Sequence, residues 1–303
     1  AAVRAAVRDV VYPVTGVSGI DPDAAAYLSA VEAEGVSVTP AQRQAWSDAV
    51  KAEKAAGVWD TYGRIVLPIW GNAAANSIDA KNLGSGTFGG TPTHGFGYVQ
   101  GDGVGDYFDF GVSPVTLGMT NATAHLACLV VQKDTRSSTQ FFMGSVTGGT
   151  YVQNALLQTS NNVAAGYLNK SSSVVTLNAI GDVSGVFSLI REATNSRTLT
   201  RCDSGESVTT NTKATNATDA ASSTNLYGLA RNNAGSVNAP TDARIGLWIA
   251  GTKLTAAQSA EAVVRYKRVW EAMTGLSLSM AFALLNGTGA AFTDGLGNTF
   301  AML

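Results

Sequence analysis

The chain has 303 residues, 45% of them hydrophobic and only 14% charged, so it can bury a large core and is not a disordered polyelectrolyte. A formal net charge of −2, with no Lys/Arg run longer than two residues, excludes the cationic footprint that nucleic-acid backbone binding requires. No segment reaches the about 18 to 20 consecutive apolar residues of a membrane span, and the start of the sequence lacks the apolar core of a secretion signal, so no membrane insertion is expected.

Residues 1–20 open with Ala1-Ala2-Val3-Arg4, repeated as Ala5-Ala6-Val7-Arg8. The repeat sets Val3 beside Val7 and Arg4 beside Arg8 on adjoining helical stripes. Pro13, Gly16 and Gly19 then break the pattern. Two readings stand: a frayed terminus, or an anchoring arm that becomes ordered against another subunit.

Residues 21–70 read as a helical prelude. Asp21-Pro22 supplies an N-cap and a first-turn proline, with Tyr27, Leu28 and Val31 on one face and Gly35 as the stop. Thr39-Pro40-Ala41-Gln42 is a capping box for a second helix, whose stripe is Trp46, Ala49 and Val50 and whose end is Gly57. From 63 to 96 the helical period is lost, and Ile65, Val66, Leu67, Ile69 and Trp70 look like a bridge into a sheet.

Residues 71–275 carry the signature of a β-sandwich. Gly101, Gly103 and Gly105 punctuate an entry in which Tyr107 and Asp109 alternate with Phe108 and Phe110 across the two faces of a strand. Short alternating or apolar runs follow at 125–131, 141–143, 163–168, 174–177, 186–191, 197–202, 226–230 and 244–250. Turn signals such as Gly148-Gly149, Gly181-Asp182, Asp203-Ser204-Gly205 and Asn232-Asn233 separate them. The expected fold class is mainly β: an antiparallel jelly-roll sandwich with a short N-terminal helical region and one C-terminal covering helix. That helix, 255–274, starts at the capping box Thr255-Ala256-Ala257-Gln258, and Ala262, Val263, Tyr266, Val269, Trp270 and Met273 form its stripe. Arg265, Lys267 and Arg268 fall off the stripe and read as a solvated face. Residues 276–303 form a strand-like tail with Asp294-Gly295 as a hairpin dipeptide, and strand pairing between subunits is favoured over packing within the chain.

Chemistry-bearing residues are sparse. His94 lies in a Gly/Thr/Pro loop and His125 begins an apolar strand, and neither is assigned a catalytic role. No HExxH pair, nucleophile elbow or P-loop occurs. Asp134, Asp182, Glu192, Asp203, Glu206 and Asp242 are the carboxylates available for a glycosidase pair, and no two share strand spacing. Asp102, Asp106 and Asp109 suit either a hard cation or a turn built of Asp and Gly. Cys128 and Cys202 read as two buried free thiols, with a single bridge as the alternative. Tyr151, Tyr167, Tyr227, Asn232 and Asn233 could stack and hydrogen-bond a sugar, or could be packed inside. No catalytic, cofactor-binding or metal residue is assigned, no cofactor is expected, and the chain is not expected to be an enzyme.

The order of Asp21-Pro22-Asp23-Ala24-Ala25-Ala26-Tyr27, Gly57-Val58-Trp59-Asp60, the stretch from Gly97 to Phe110, Leu229-Ala230-Arg231-Asn232, Ala243-Arg244-Ile245-Gly246 and the closing helix resembles tailed-phage virion proteins with a concanavalin A-like, laminin-G-like jelly roll, over residues 1–275. The resemblance implies a structural component of the virion surface, present in the host cytoplasm before assembly: a head decoration, head fibre, tail fibre or tail tip. Its partners would be capsid or tail proteins and copies of itself, as a homo-oligomer and by analogy a trimer, contacted through the 1–20 arm and the 276–303 tail. The alternative is a module that binds host cell-surface glycan, and a third reading is a polysaccharide depolymerase. The resemblance carries no active-site motif.

Overall fold

The computed structural model describes residues 19–133, 138–147, 152–160, 162–170, 174–178, 180, 183–214 and 219–279, with the short strands at 292–293 and 299–300. The repeat at 1–18, Asp134, Tyr151, Asp182, the turns at Gly148-Gly149 and Gly181-Asp182, and the Asp294-Gly295 dipeptide lie outside the described residues.

Local capping starts the helices where the sequence places them. Helix α1 (Pro22–Ala33) is capped by the Asp21 carboxylate, which accepts from the Asp23 N–H. Helix α2 (Pro40–Ala55) carries the Thr39/Gln42 capping box. The chain then gives β1 (Tyr62–Val66), the one-turn α3 (Ala73–Asn76), β2 (Thr87–Gly89), β3 (Thr93–Gly95), β4 (Tyr98–Gln100), β5 (Tyr107–Asp109), β6 (Ala124–Gln132), β7 (Gln140–Thr147) and β8 (Val152–Ser160). After these come β9 (Val163–Lys170), β10 (Val175–Leu177), β11 (Gly185–Ala193), β12 (Ser196–Cys202), β13 (Val208–Ala214), β14 (Tyr227–Gly228), β15 (Arg231–Asn233), β16 (Ser236–Asn238) and β17 (Arg244–Gly251). Helix α4 (Ala256–Thr274) and the strands β18 (Phe292–Thr293) and β19 (Thr299–Phe300) complete the order.

Two sheets stack as a sandwich. The eight-stranded sheet runs β13-β12-β11-β6-β17-β4-β3, with β1 on the far end of β17's edge; the nine-stranded sheet runs β10-β9-β8-β7-β14-β5-β2, with the β15–β16 hairpin on β7. Among the described residues every strand pairing is antiparallel except β15 with β7. The segment 63–96, expected as a bridge, therefore contributes strands to both sheets, because Tyr62–Val66 zips onto β17 through Val66↔Trp248 and Ile65↔Ile249. Between the sheets, Leu126, Phe142, Phe187, Leu189, Leu199 and Trp248 form the main core. Phe108 stacks on Trp248 with centroids 5.6 Å apart and planes 2° from parallel.

A second core lies outside the eight-stranded sheet. There α1, α2 and α4 cover Leu129, Val186, Ile190, Leu247 and Ile249 with Tyr27, Trp46, Tyr266 and Trp270. Alternate residues of the same strands thus enter different cores. Cys128 faces the inter-sheet core and Cys202 the helical layer, each as a free, buried thiol. Burial pushes the Cys202 thiol up to about 12.

This layering overturns the expected solvated flank of α4. Arg265 is only 12% exposed and pairs with the buried Glu53 of α2 at 2.8 Å. Lys267 is buried and pairs with Glu271 at 2.8 Å, and Arg268 pairs with Glu206 of the β12–β13 turn at 2.7 Å. The helix is wedged between α2 and the sheet, so its polar flanks need carboxylate partners instead of water. The packing also continues past Gly275: Leu278 is fully buried, and its N–H donates to Glu271 Oε1 at 2.8 Å. In the tail, β18 and β19 pair with each other antiparallel through Phe292↔Phe300 and Thr293↔Thr299.

Candidate functional site

The Gly-rich entry is a self-satisfied loop. The Asp102 carboxylate accepts from the N–H groups of Val104 (2.7 Å), Gly105 (2.9 Å) and Asp106 (3.1 Å), and the Gly105 amide foremost holds it below the usual carboxylate range. Asp106 is buried and takes the N–H of Thr91 at 2.7 Å and of Asp102 at 2.9 Å. Asp109 instead accepts from Gly111 N at 2.8 Å and Asn225 Nδ2 at 3.2 Å. Among the described residues no three His, Cys, Asp or Glu side chains gather as metal ligands.

The other carboxylates are dispersed. Glu192 Oε2 accepts from Ala256 N at the start of α4, Asp203 Oδ1 from Gly205 N and Ser207 N in its own turn, and Glu206 is held by Arg268. His94 Nδ1 lies 3.0 Å from Asn76 Nδ2, and its ring meets Phe88 edge-on at 4.5 Å. Burial lowers its proton affinity.

His125 is fully buried, with Nε2 3.1 Å from Ser188 Oγ, which accepts from Ser259 Oγ at 2.8 Å. Burial takes its pKa from 6.5 down to about 3. The unfolded imidazole therefore takes up a proton near pH 6.5 while the folded one stays neutral, so the folded state binds fewer protons in the window between the two values. The contribution of His125 is complete above pH 6.5 and is lost as pH falls toward about 3, by up to a factor of about ten in the folding constant per pH unit. Denaturant melts from pH 7 to about 5, above most carboxylate titration, should show this slope in the native chain and lose most of it in His125→Gln, the remainder belonging to His94, whose proton affinity burial also lowers; an unchanged slope would refute the assignment.

The outward face of the nine-stranded sheet is chemically different. On β5, Phe108 points into the core while Tyr107 and Asp109 point out. Tyr107 lies flat across β2 because residue 89 is glycine: a Cβ there would sit 2.2 Å from the ring. Its ring stacks on Tyr227 at 4.5 Å and 19°. Register then carries the face across the sheet, Tyr227 opposite Asp109 and Gly144, Gly144 opposite Ala155, and Ala155 opposite Tyr167.

Small residues form the floor between the tyrosines. Arg231 runs its stem over Gly144, sets its guanidinium 4.4 Å from the Phe141 ring and donates to Asn238 Oδ1. Desolvation lowers its pKa and nearby Tyr167 opposes that shift. The β14–β16 segment that delivers it holds three non-glycine residues in the left-handed region, Leu229 (φ 61°), Ala234 (φ 51°) and Ala239 (φ 44°), a local cost that the surrounding packing sustains.

Of the residues read from sequence as either sugar-facing or packed inside, Tyr167 and Tyr227 come to this one face, Tyr167 partly exposed and Tyr227 buried beneath Tyr107 and its neighbours. Asn232 does not: it is buried, and its Oδ1 accepts from Gly235 N at 2.7 Å. Tyr107 and Asp109 were legible as an outward pair in the β5 alternation but were assigned to a strand entry and an ion question. Arg231, Phe141 and Asn225 had no such signal, because the parallel β15–β7 pairing that brings Arg231 over Gly144 has no local sequence mark.

Fold and site together define a jelly-roll β-sandwich that carries tyrosines on the outward face of one sheet. No protein-family model matches the sequence, and no curated protein matches it. Solved structures with a similar sandwich include the Ruminococcus gnavus IT-sialidase CBM40 bound to α2,3 sialyllactose, at 15% identity over 49% of this chain and 85% of that one, TM-score 0.37. NanB sialidase from Streptococcus pneumoniae, as its K499G mutant, matches at 12% identity over 55% of this chain and 27% of that one, TM-score 0.41. Full-length tailspike protein 2 from an Escherichia coli O157:H7 bacteriophage matches at 10% identity over 60% and 27%, TM-score 0.42. At these identities and scores the likeness concerns the sandwich and carries nothing about activity.

Proposed function

We propose that this chain is a non-catalytic carbohydrate-binding sandwich and that it binds through the outward face of the nine-stranded sheet. The observation that carries this reading is that one outward face presents the partly exposed Tyr107 and Tyr167, with Arg231 lying over the buried Gly144 between their strands, the buried Tyr227 backing Tyr107, and Asp109 and Asn225 beside it. Tyrosines supply apolar surface for the C–H face of a sugar ring, and carboxylate, amide and guanidinium groups match its hydroxyls. Catalysis is not proposed, since the described carboxylates considered for it are dispersed or committed to backbone amides and ion pairs.

Glycan-array screening of the native chain identifies a ligand, and calorimetry with that ligand tests the face. Tyr107→Ala and Tyr167→Ala should each weaken binding about tenfold or more, whereas Tyr98→Ala, on the other sheet, should leave it unchanged. Equal losses in all three variants, or no bound glycan, would defeat the proposal. The virion-surface setting implied by the sequence resemblance is compatible with the same sandwich. It is tested by gold-labelled antibody on intact particles, where head or tail labelling supports it and unlabelled particles reject it.

A further inference from the structure

β13 closes one end of the eight-stranded sheet, and among the described residues β12 is its sole ladder partner. Thr209 to Ala214 are all exposed, with Val208 partly covered. Natural edge strands of this kind are guarded by proline, bulges or outward charge. β13 has no proline, and it pairs with β12 from Ser196↔Ala214 to Cys202↔Val208 without a register shift. Its one charged residue is turned away: Lys213 Nζ donates to Val174 O at 3.0 Å, and Asn211 Nδ2 donates to Thr176 O at 2.7 Å, both across to the edge of the other sheet.

We infer that β13 pairs antiparallel with β13 of a second copy, about a two-fold axis at Asn211. This register sets Thr210 opposite Thr212, Thr209 opposite Lys213 and Val208 opposite Ala214, so the whole strand pairs and no lysine meets a lysine. Moving the axis one residue either way shortens the ladder. The contact is isologous and closes as a dimer.

Edge pairing makes the two eight-stranded sheets one continuous sheet, with the axis perpendicular to it. Both nine-stranded sheets then lie on the same side, and their Tyr107–Tyr167 faces point the same way. The dimer does not depend on the carbohydrate reading; its consequence does, because on that reading the assembly is bivalent and gains avidity for a surface bearing many ligands.

Sedimentation equilibrium of the full chain at rising concentration should show the mass moving from 31.1 kDa toward twice that value. Thr209→Lys places a lysine opposite each Lys213 and should weaken dimerisation about tenfold, while Thr209→Glu should strengthen it by a similar factor. Asn211→Cys brings two thiols face to face at the axis and should give a disulfide-linked dimer under mild oxidation. A mass of 31.1 kDa at every concentration overturns the inference. So does a dimer whose dissociation constant moves in the same direction with both Thr209 variants, or an Asn211→Cys chain that stays monomeric on oxidation. Glycan binding by a chain that remains monomeric would keep the carbohydrate reading and remove only the dimer.

Discussion

Trp248→Ala should lower the unfolding free energy by about 3–5 kcal/mol, enough to bring a typical domain to the edge of folding at ordinary temperature. Trp248 is fully buried between the sheets, stacks on Phe108 with planes 2° apart, meets Phe110 edge-on at 5.9 Å, and donates from Nε1 to Phe142 O at 3.1 Å. It therefore joins β17 of one sheet to β5 and β7 of the other, and alanine opens a void that neither sheet can fill without bending. The site is tight from the opposite side too: a Cβ at Gly228 would lie 2.8 Å from the indole. Gly228→Ala should accordingly be destabilising as well, by about 1–3 kcal/mol through overpacking. Denaturant unfolding followed by circular dichroism decides the matter. A loss below about 1 kcal/mol for Trp248→Ala would mean that the two sheets are not pinned together at this residue.

Arg265→Ala should cost about 3–5 kcal/mol, because it leaves the Glu53 carboxylate buried without its cation. Glu53 is 8% exposed; it takes Arg265 Nε at 2.8 Å and Arg265 Nη2 at 3.2 Å, and accepts the Tyr62 hydroxyl at 2.8 Å. Tyr266 in turn donates its hydroxyl to Tyr62. Burial first, and the neighbouring carboxylate next, keep the Tyr62 hydroxyl protonated far above its ordinary range. This network ties α2, β1 and α4 into one helical layer over the sheet. Replacing both charges together, as Glu53→Gln with Arg265→Met, which keeps an acceptor for the Tyr62 hydroxyl, should recover most of the loss, since the expense lies in the unpaired charge more than in the missing attraction. If the double variant is as unstable as Arg265→Ala, the pair holds the layer by attraction and the argument fails. Thermal melts of the two single variants and the double variant separate the cases.

Those two expectations rest on contacts of very different visibility in the sequence. The helix starts were legible because a cap is local: Thr39 with Gln42, and Thr255 with Gln258, satisfy amides within one turn whatever the rest of the chain does. Most apolar strands were legible for the same reason, since alternation is a property of neighbours. β8 and β13 were not: in β8 the apolar residues are the short consecutive run Ala155-Leu156-Leu157 between polar ones, which does not alternate, and in β13 Thr209-Thr210-Asn211-Thr212 has no apolar face to betray a strand. The solvated flank assigned to α4 failed because a stripe in sequence marks only the strongest apolar face of a helix. It does not mark how many other elements press against the remaining sides.

The candidate site divides along the same line. The outward pair Tyr107 and Asp109 could be read from alternation, and the turn chemistry of Asp102 from its glycines. That Tyr107 stacks on Tyr227, and that Arg231 lies over Gly144 beside Tyr167, depends on strand order and register between segments more than 60 residues apart. What the sequence alone determined is the sandwich class, the helix boundaries and the residues that must be buried, because propensity, capping and period are set within a few residues. Which face is amphipathic, which charges are buried and which edge is left open were decided only by the tertiary structure, because these follow from what packs against each element and no residue carries that information by itself.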